Sequence, residues 1–72
     1  MTGKESQDHG YRFATSHLDL IETMNGRDAA CCTAQGMAHA ARDLLVKHLG
    51  EREAYNWLSY VADCTLTKVL PK

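Results

Sequence analysis

The stretch ACCTAQGMAHAARDLL, residues 30–45, decides the fold expected of this chain. It is rich in alanine and leucine, which are good helix formers. Its apolar residues return every three or four positions, the period of one face of an α-helix. The apolar face continues to Leu49, and Gly50 follows as a residue typical of a helix end. We therefore predict a long helix over residues 28–49.

Two further helices are predicted on either side of this one. Apolar residues recur with helical period over residues 11–24, and Asn25 with Gly26 forms the break before the long helix. The polar residues 1–10 show no such period, so we expect a flexible N-terminal tail there. A third helix over residues 51–69 opens with acidic side chains, which suit the first turn of a helix.

These elements predict an all-α fold in a single domain over residues 11–72. The connections are short, which makes sequential helices antiparallel neighbours. We expect a small three-helix antiparallel bundle, with a short first helix and two long helices forming a hairpin. A chain of 72 residues has one small core, worth only about 3–5 kcal/mol of stability. Dimerisation is one way to complete such a core, and we expect it here.

Composition and charge disfavour several functional classes. The net charge is −1 with both signs interspersed, whereas nucleic-acid binding needs a clustered positive face. There is no apolar run long enough for a membrane span, and the polar start of the chain does not resemble a signal peptide. We therefore expect a cytoplasmic protein that binds neither membranes nor, as its main partner, nucleic acid.

The cysteines and histidines do not form a recognisable chemical site in the sequence. Cys31 and Cys32 are adjacent and point about 100° apart on a helix, so they cannot share one metal ion. An odd number of cysteines, Cys64 being the third, fits free thiols better than a disulfide framework. His17 and His48 fall within apolar arcs, where a structural role and a pH-sensing role both stay open. We expect no metal, no cofactor and no catalytic residues.

The apolar face of the third helix covers a larger part of its circumference than two neighbouring helices can bury. Trp57 and Tyr55 flank its central line, and Tyr60 lies on the polar side with Glu53 and Asn56. Aromatic residues of this kind are enriched at protein interfaces. The alternative is that Trp57 and Tyr55 only close the ends of a thin core.

A second candidate surface is a strip of small residues on the long helix, formed by Ala29, Cys32, Thr33, Gly36 and Ala40. A glycine in mid-helix is unfavourable relative to alanine, and small residues let another backbone approach closely. The alternative is an alanine-rich solvent face with an incidental glycine. Together with the third helix, this strip gives the candidate interaction residues, which are Trp57, Tyr60, Tyr55, Gly36, Ala40 and Leu66.

The function expected from these observations is a non-enzymatic protein–protein interaction or regulatory module. We expect a small homodimeric helical protein of the kind found in bacteria and phages, although no motif assigns a family. Its partners are a second copy of itself and another protein. The alternatives are a metal- or ligand-binding module that uses the cysteines and histidines, and, more weakly, a nucleic-acid-binding regulator.

Overall fold

The computed structural model describes residues 2–69 of the chain, and the side chains of residues 2–66. This part of the chain consists of three α-helices and has no strand. The helices are α1 Gly3–Asn25, α2 Arg27–Leu49 and α3 Glu51–Val69. The fold is compatible with the predicted small all-α three-helix bundle. None of the described helices combines the length and the apolar character needed to cross a lipid bilayer.

Single glycines connect the helices. Gly26 has φ +94° and Gly50 has φ +89°, both in the region that favours glycine over other residues. Each glycine N–H donates a closing hydrogen bond, from Gly26 to the Glu22 carbonyl at 2.9 Å and from Gly50 to the Val46 carbonyl at 3.0 Å. The predicted breaks at these two positions are confirmed, and α3 has the predicted bounds.

The start of α1 differs from the prediction. The helix begins at Gly3, so the expected tail over residues 1–10 was wrong for residues 3–10. The first helix is also not short, since α1 and α2 each have 23 residues and α3 has 19. The cause is a capping box, in which the Thr2 hydroxyl accepts from the Glu5 N–H and the Glu5 carboxylate accepts from the Thr2 N–H, both at 3.1 Å.

The capping box gives a prediction about pH. The hydrogen bond from the Thr2 backbone N–H, and then the one with the Thr2 side chain, lowers the pKa of Glu5 below its ordinary value of 4.5. Its contribution to α1 is therefore present above pH 4.5 and is lost as the pH falls through the lower folded value. Thr2→Ala keeps the backbone N–H and removes the hydroxyl, so we expect the pKa of Glu5 to rise part of the way toward 4.5, measured by NMR titration of its carboxyl group.

The matched control is Thr15→Ala, which removes a hydroxyl from an exposed position in the middle of α1. It should leave the Glu5 titration unchanged. An unaltered Glu5 pKa in Thr2→Ala would contradict the role of the box. Amide exchange in the first turn of α1 gives an independent reading, and we expect it to accelerate in Thr2→Ala alone.

The described chain divides into two compact units. The first runs to Met37 and forms a helical hairpin of α1 and the first part of α2, with no fully buried residue. Its interior is lined by half-buried side chains at helical spacing. These are Ala14, Leu18, Ile21, Ala29, Ala30, Thr33, Ala34 and Met37.

The second unit starts at Ala38 and contains the rest of α2 with α3. Ala54 is its one fully buried apolar residue among the side chains described, with 0% of its surface exposed. It lies in the first turn of α3, where its N–H donates to the Gly50 carbonyl at 3.1 Å. Leu45, Val46 and Leu58 are half-buried in the same unit. Ala54 is therefore the point of closest packing in this unit.

Candidate protein interaction surfaces

The aromatic residues of α3 that the sequence singled out form a defined pair. Trp57 and Tyr60 lie three residues apart on one side of the helix and are 41% and 62% exposed. Their ring centroids are 5.8 Å apart with an interplanar angle of 89°, an edge-to-face arrangement. This geometry is favourable for aromatic rings because it brings the positive edge of one to the negative face of the other. The pair is an ordered, exposed apolar feature.

The two rings contribute to a shallow groove of about 310 Å³, which we call the aromatic groove and which is lined by Glu53, Asn56, Trp57 and Tyr60. Glu53, Trp57 and Tyr60 follow one another at steps of four and three residues, so they share one face of α3. Within the described part of the chain, no hydrogen bond or ion pair engages the Glu53 carboxylate. The groove therefore combines two aromatic rings with an unpaired carboxylate.

Cys64 continues this face by one more helical turn. A hydrogen bond with the half-buried Cys64, together with its charge, raises the pKa of Tyr60 above the ordinary 10.0. The Tyr60 ring thus has the Trp57 ring on one side, and Cys64 follows it by one helical turn.

Two other candidates on α3 do not join the groove. Tyr55 is exposed and lines a separate shallow groove with Glu51, Arg52 and Asn56. Leu66 is likewise exposed, on the side of the helix away from Trp57. The structure thus places the aromatic residues of α3 on two sides of the helix.

The strip of small residues on α2 is open. Gly36 and Ala40 are exposed, and a Cβ placed on Gly36 would meet nothing within 4 Å. No other part of the described chain makes the close approach that a mid-helix glycine allows. Ala29 and Thr33, which belong to the same strip, are half-buried within the first hairpin. A close approach at Gly36 by a partner stays a prediction.

A third surface, on α1, was missed by sequence reasoning. Phe13, Leu20 and Met24 are between 53% and 71% exposed, and they flank the half-buried line that faces the hairpin interior. With His17, which is also exposed, they follow one another at steps of four, three and four residues. We call these four residues the α1 apolar face. This spacing is that of a coiled-coil seam, which was the signal available in the sequence.

The charged side chains of α1 lie away from the α1 apolar face. At about 100° per residue, all of them fall within roughly one third of the circumference of the helix, on the side opposite the α1 apolar face. They are Lys4, Glu5, Asp8, Arg12, Asp19 and Glu22. The positions that flank this line on the helix surface are therefore uncharged, so two copies of this face can approach without repulsion between like charges.

Cys31 and Cys32 are exposed free thiols, and His17 and His48 are exposed rather than buried in apolar arcs. Among residues 2–69 there is no group of three side chains placed to hold a metal ion.

His39 and Asp43, one helical turn apart on α2, both contact the Arg42 side chain. The Arg42 guanidinium contacts His39 Nδ1 at 3.0 Å and the Asp43 carboxylate at 2.8 Å. The two side chains thus already share a cation that belongs to the chain, and the ion pair between Arg42 and Asp43 is largely exposed to solvent.

Comparison with known proteins gives no relative of this chain. No protein-family model matches it, and neither a curated protein nor a solved structure gives a match. The function is accordingly inferred from the residues and geometry described above.

Proposed function

We propose that this protein is a non-enzymatic protein interaction module that acts as a homodimer. The observation that carries the proposal is the contrast between its interior and its surface. Ala54 is the one fully buried apolar residue among the described side chains, whereas nine large apolar side chains on α1 and α3 are between 41% and 71% exposed. Surfaces of this kind are typical of proteins that bind a macromolecular partner.

The homodimer is proposed to form through the α1 apolar face. Steps of four and three residues place Phe13, Leu20 and Met24 along one line, so a second helix of the same spacing interlocks with them. A two-fold pairing brings identical residues together, and the absence of charge beside this line permits it. A second copy of α1 is therefore the occupant that this face fits best.

The aromatic groove on α3 is proposed to bind a different protein. Tryptophan and tyrosine contribute large, rigid contact areas, and they are enriched among the residues that dominate binding energy. Taking about 200 Å² for an aromatic side chain, Trp57 and Tyr60 together expose about 200 Å². This area suits the centre of a small interface with a peptide segment or a helix of a partner.

We place the protein in the cytoplasm as part of the same proposal. Cys31 and Cys32 are exposed free thiols, and Cys64 is free and half-buried. Exposed thiols persist in a reducing compartment, whereas an oxidising one favours disulfides.

Size-exclusion chromatography with light scattering tests the proposal. We expect the mass of a dimer at the higher protein concentrations and a shift toward the monomer on dilution, because the α1 apolar face is a short seam. Trp57→Ala should leave the dimer intact, since Trp57 belongs to the surface for the second partner. A monomer at every concentration would contradict the homodimer.

A further inference from the structure

We propose that the aromatic groove of α3 is a binding site for a guanidinium group, presented by an arginine side chain of the partner. This inference rests on the proposed function, because it specifies the chemistry of the partner at the same surface. It comes from the combination of Glu53 with the rings of Trp57 and Tyr60 in one concave surface.

The first step of the argument is the charge of the groove. Glu53 is the one charged residue among those that line it, and it is unpaired within the described chain. The nearest cationic side chain in sequence, Arg52, lines the separate groove with Tyr55 instead. An unpaired carboxylate beside apolar rings is complementary to a cation from outside this chain.

The second step is the geometry of the rings. A cation is attracted to the face of tryptophan or tyrosine within about 6 Å of the ring centroid. In the edge-to-face pair of Trp57 and Tyr60 the rings are nearly perpendicular, so together they form a corner rather than a closed stack. A flat cation can lie against one ring face in this corner while the other ring closes its side.

The third step concerns the choice between arginine and lysine. A guanidinium is planar and stacks on an aromatic face, and its N–H groups can reach a carboxylate at the same time. Glu53 precedes Trp57 by four residues and Tyr60 by seven, so their Cα atoms are about 6 Å and about 10 Å apart along the helix axis. These spans suit the length of a guanidinium and its adjoining methylenes better than a compact ammonium.

The test uses small probes and the single tryptophan of the chain. We titrate the full-length protein with N-acetyl-arginine amide and follow the Trp57 indole N–H by NMR. The uncharged analogue N-acetyl-citrulline amide has nearly the same shape and is the matched probe. We expect saturable shifts of the Trp57 signal with the arginine probe, and weaker binding of the citrulline probe by about two- to fivefold.

Variants identify the residues responsible. Glu53→Gln keeps the shape of the side chain and removes its charge, and we expect it to weaken the arginine probe by about two- to fivefold. The matched control is Glu51→Gln, an acidic position in the same first turn of α3 that lies outside the groove. Tyr60→Leu should weaken binding as well, because it removes one wall of the corner.

Three outcomes would overturn the inference. These are equal shifts with the arginine and citrulline probes, equal binding to Glu53→Gln and the unaltered protein, or no shift of Trp57 with either probe. Failure of the proposed homodimer is distinguishable from these, because it appears as a monomer in light scattering while arginine still shifts the Trp57 signal.

Discussion

Leu20→Glu is expected to convert the proposed homodimer into a monomer. In the pairing proposed through the α1 apolar face, Leu20 lies at the centre of the line between Phe13 and Met24, and it is 53% exposed in the single chain. The substitution removes an apolar contact from both copies and places two carboxylates in the same interface. With about 1.5 kcal/mol lost for each leucine, we expect the dimer to weaken about a hundredfold or more.

The measurement is sedimentation velocity at several concentrations, with circular dichroism to establish that the helices are intact. Thr15→Glu is the matched control, because it introduces the same charge at an exposed position of α1 away from the apolar face. It should remain dimeric. A dimeric, helical Leu20→Glu would show that two copies meet elsewhere, and the α1 apolar face would lose its proposed role.

Ala54→Leu is expected to have the largest effect on stability. Ala54 is fully buried where the first turn of α3 follows the Gly50 connection, so a larger side chain there has no space. Overpacking of this kind destabilises proteins by about 1–3 kcal/mol. A core of this size supplies only about 3–5 kcal/mol, so the substitution removes a large share of it.

Thermal unfolding followed by circular dichroism provides the measurement. For a domain of this length, the midpoint falls by about 4–8 °C for each kcal/mol lost. Ala62→Leu adds the same side chain at an exposed position of α3 and should change the midpoint little. An unchanged midpoint in Ala54→Leu would mean that the packing around Ala54 yields without loss of stability.

The helix boundaries between the elements could be predicted because they depend on local chemistry. Gly26 and Gly50 adopt positive φ, and no other residue type does so as readily. The start of α1 was missed although Thr2 and Glu5 have the spacing of a capping box. The polar residues after Thr2 do not show the apolar period of a buried helix face. This first part of α1 is stabilised by capping and not by burial, so the period gave no signal for it.

The interior of the first hairpin was only partly predictable. The sequence shows two adjacent apolar lines on α1, one with Leu18 and Ile21 and one with Phe13 and Leu20, but it does not show which of them the hairpin covers. In the structure the line of Leu18 and Ile21 is half-buried and the other is exposed. A single neighbouring helix covers only part of the circumference, so the choice depends on how the helices turn about their axes, which no local residue specifies.

The candidate site on α3 was also predictable only in part. Helical spacing was enough to place Glu53, Asn56 and Tyr60 on one side of the helix, and they lie together in the aromatic groove. Trp57 shares this face by its spacing, and its edge-to-face contact with Tyr60 gives the groove its shape. Spacing alone does not determine the angle between two rings, so the shape of the groove could be found only in the three-dimensional structure.

The one-residue connections make this fold intolerant of changes in length. Gly26 alone separates the last residue of α1 from the first of α2, which fixes how far each arm of the first hairpin is offset along the other. One inserted residue near the turn would rotate the remainder of its arm by about 100° and move it by 1.5 Å. The interior residues of that arm would then face solvent. Natural variation in length should accordingly occur in multiples of a helical turn, or at the chain ends.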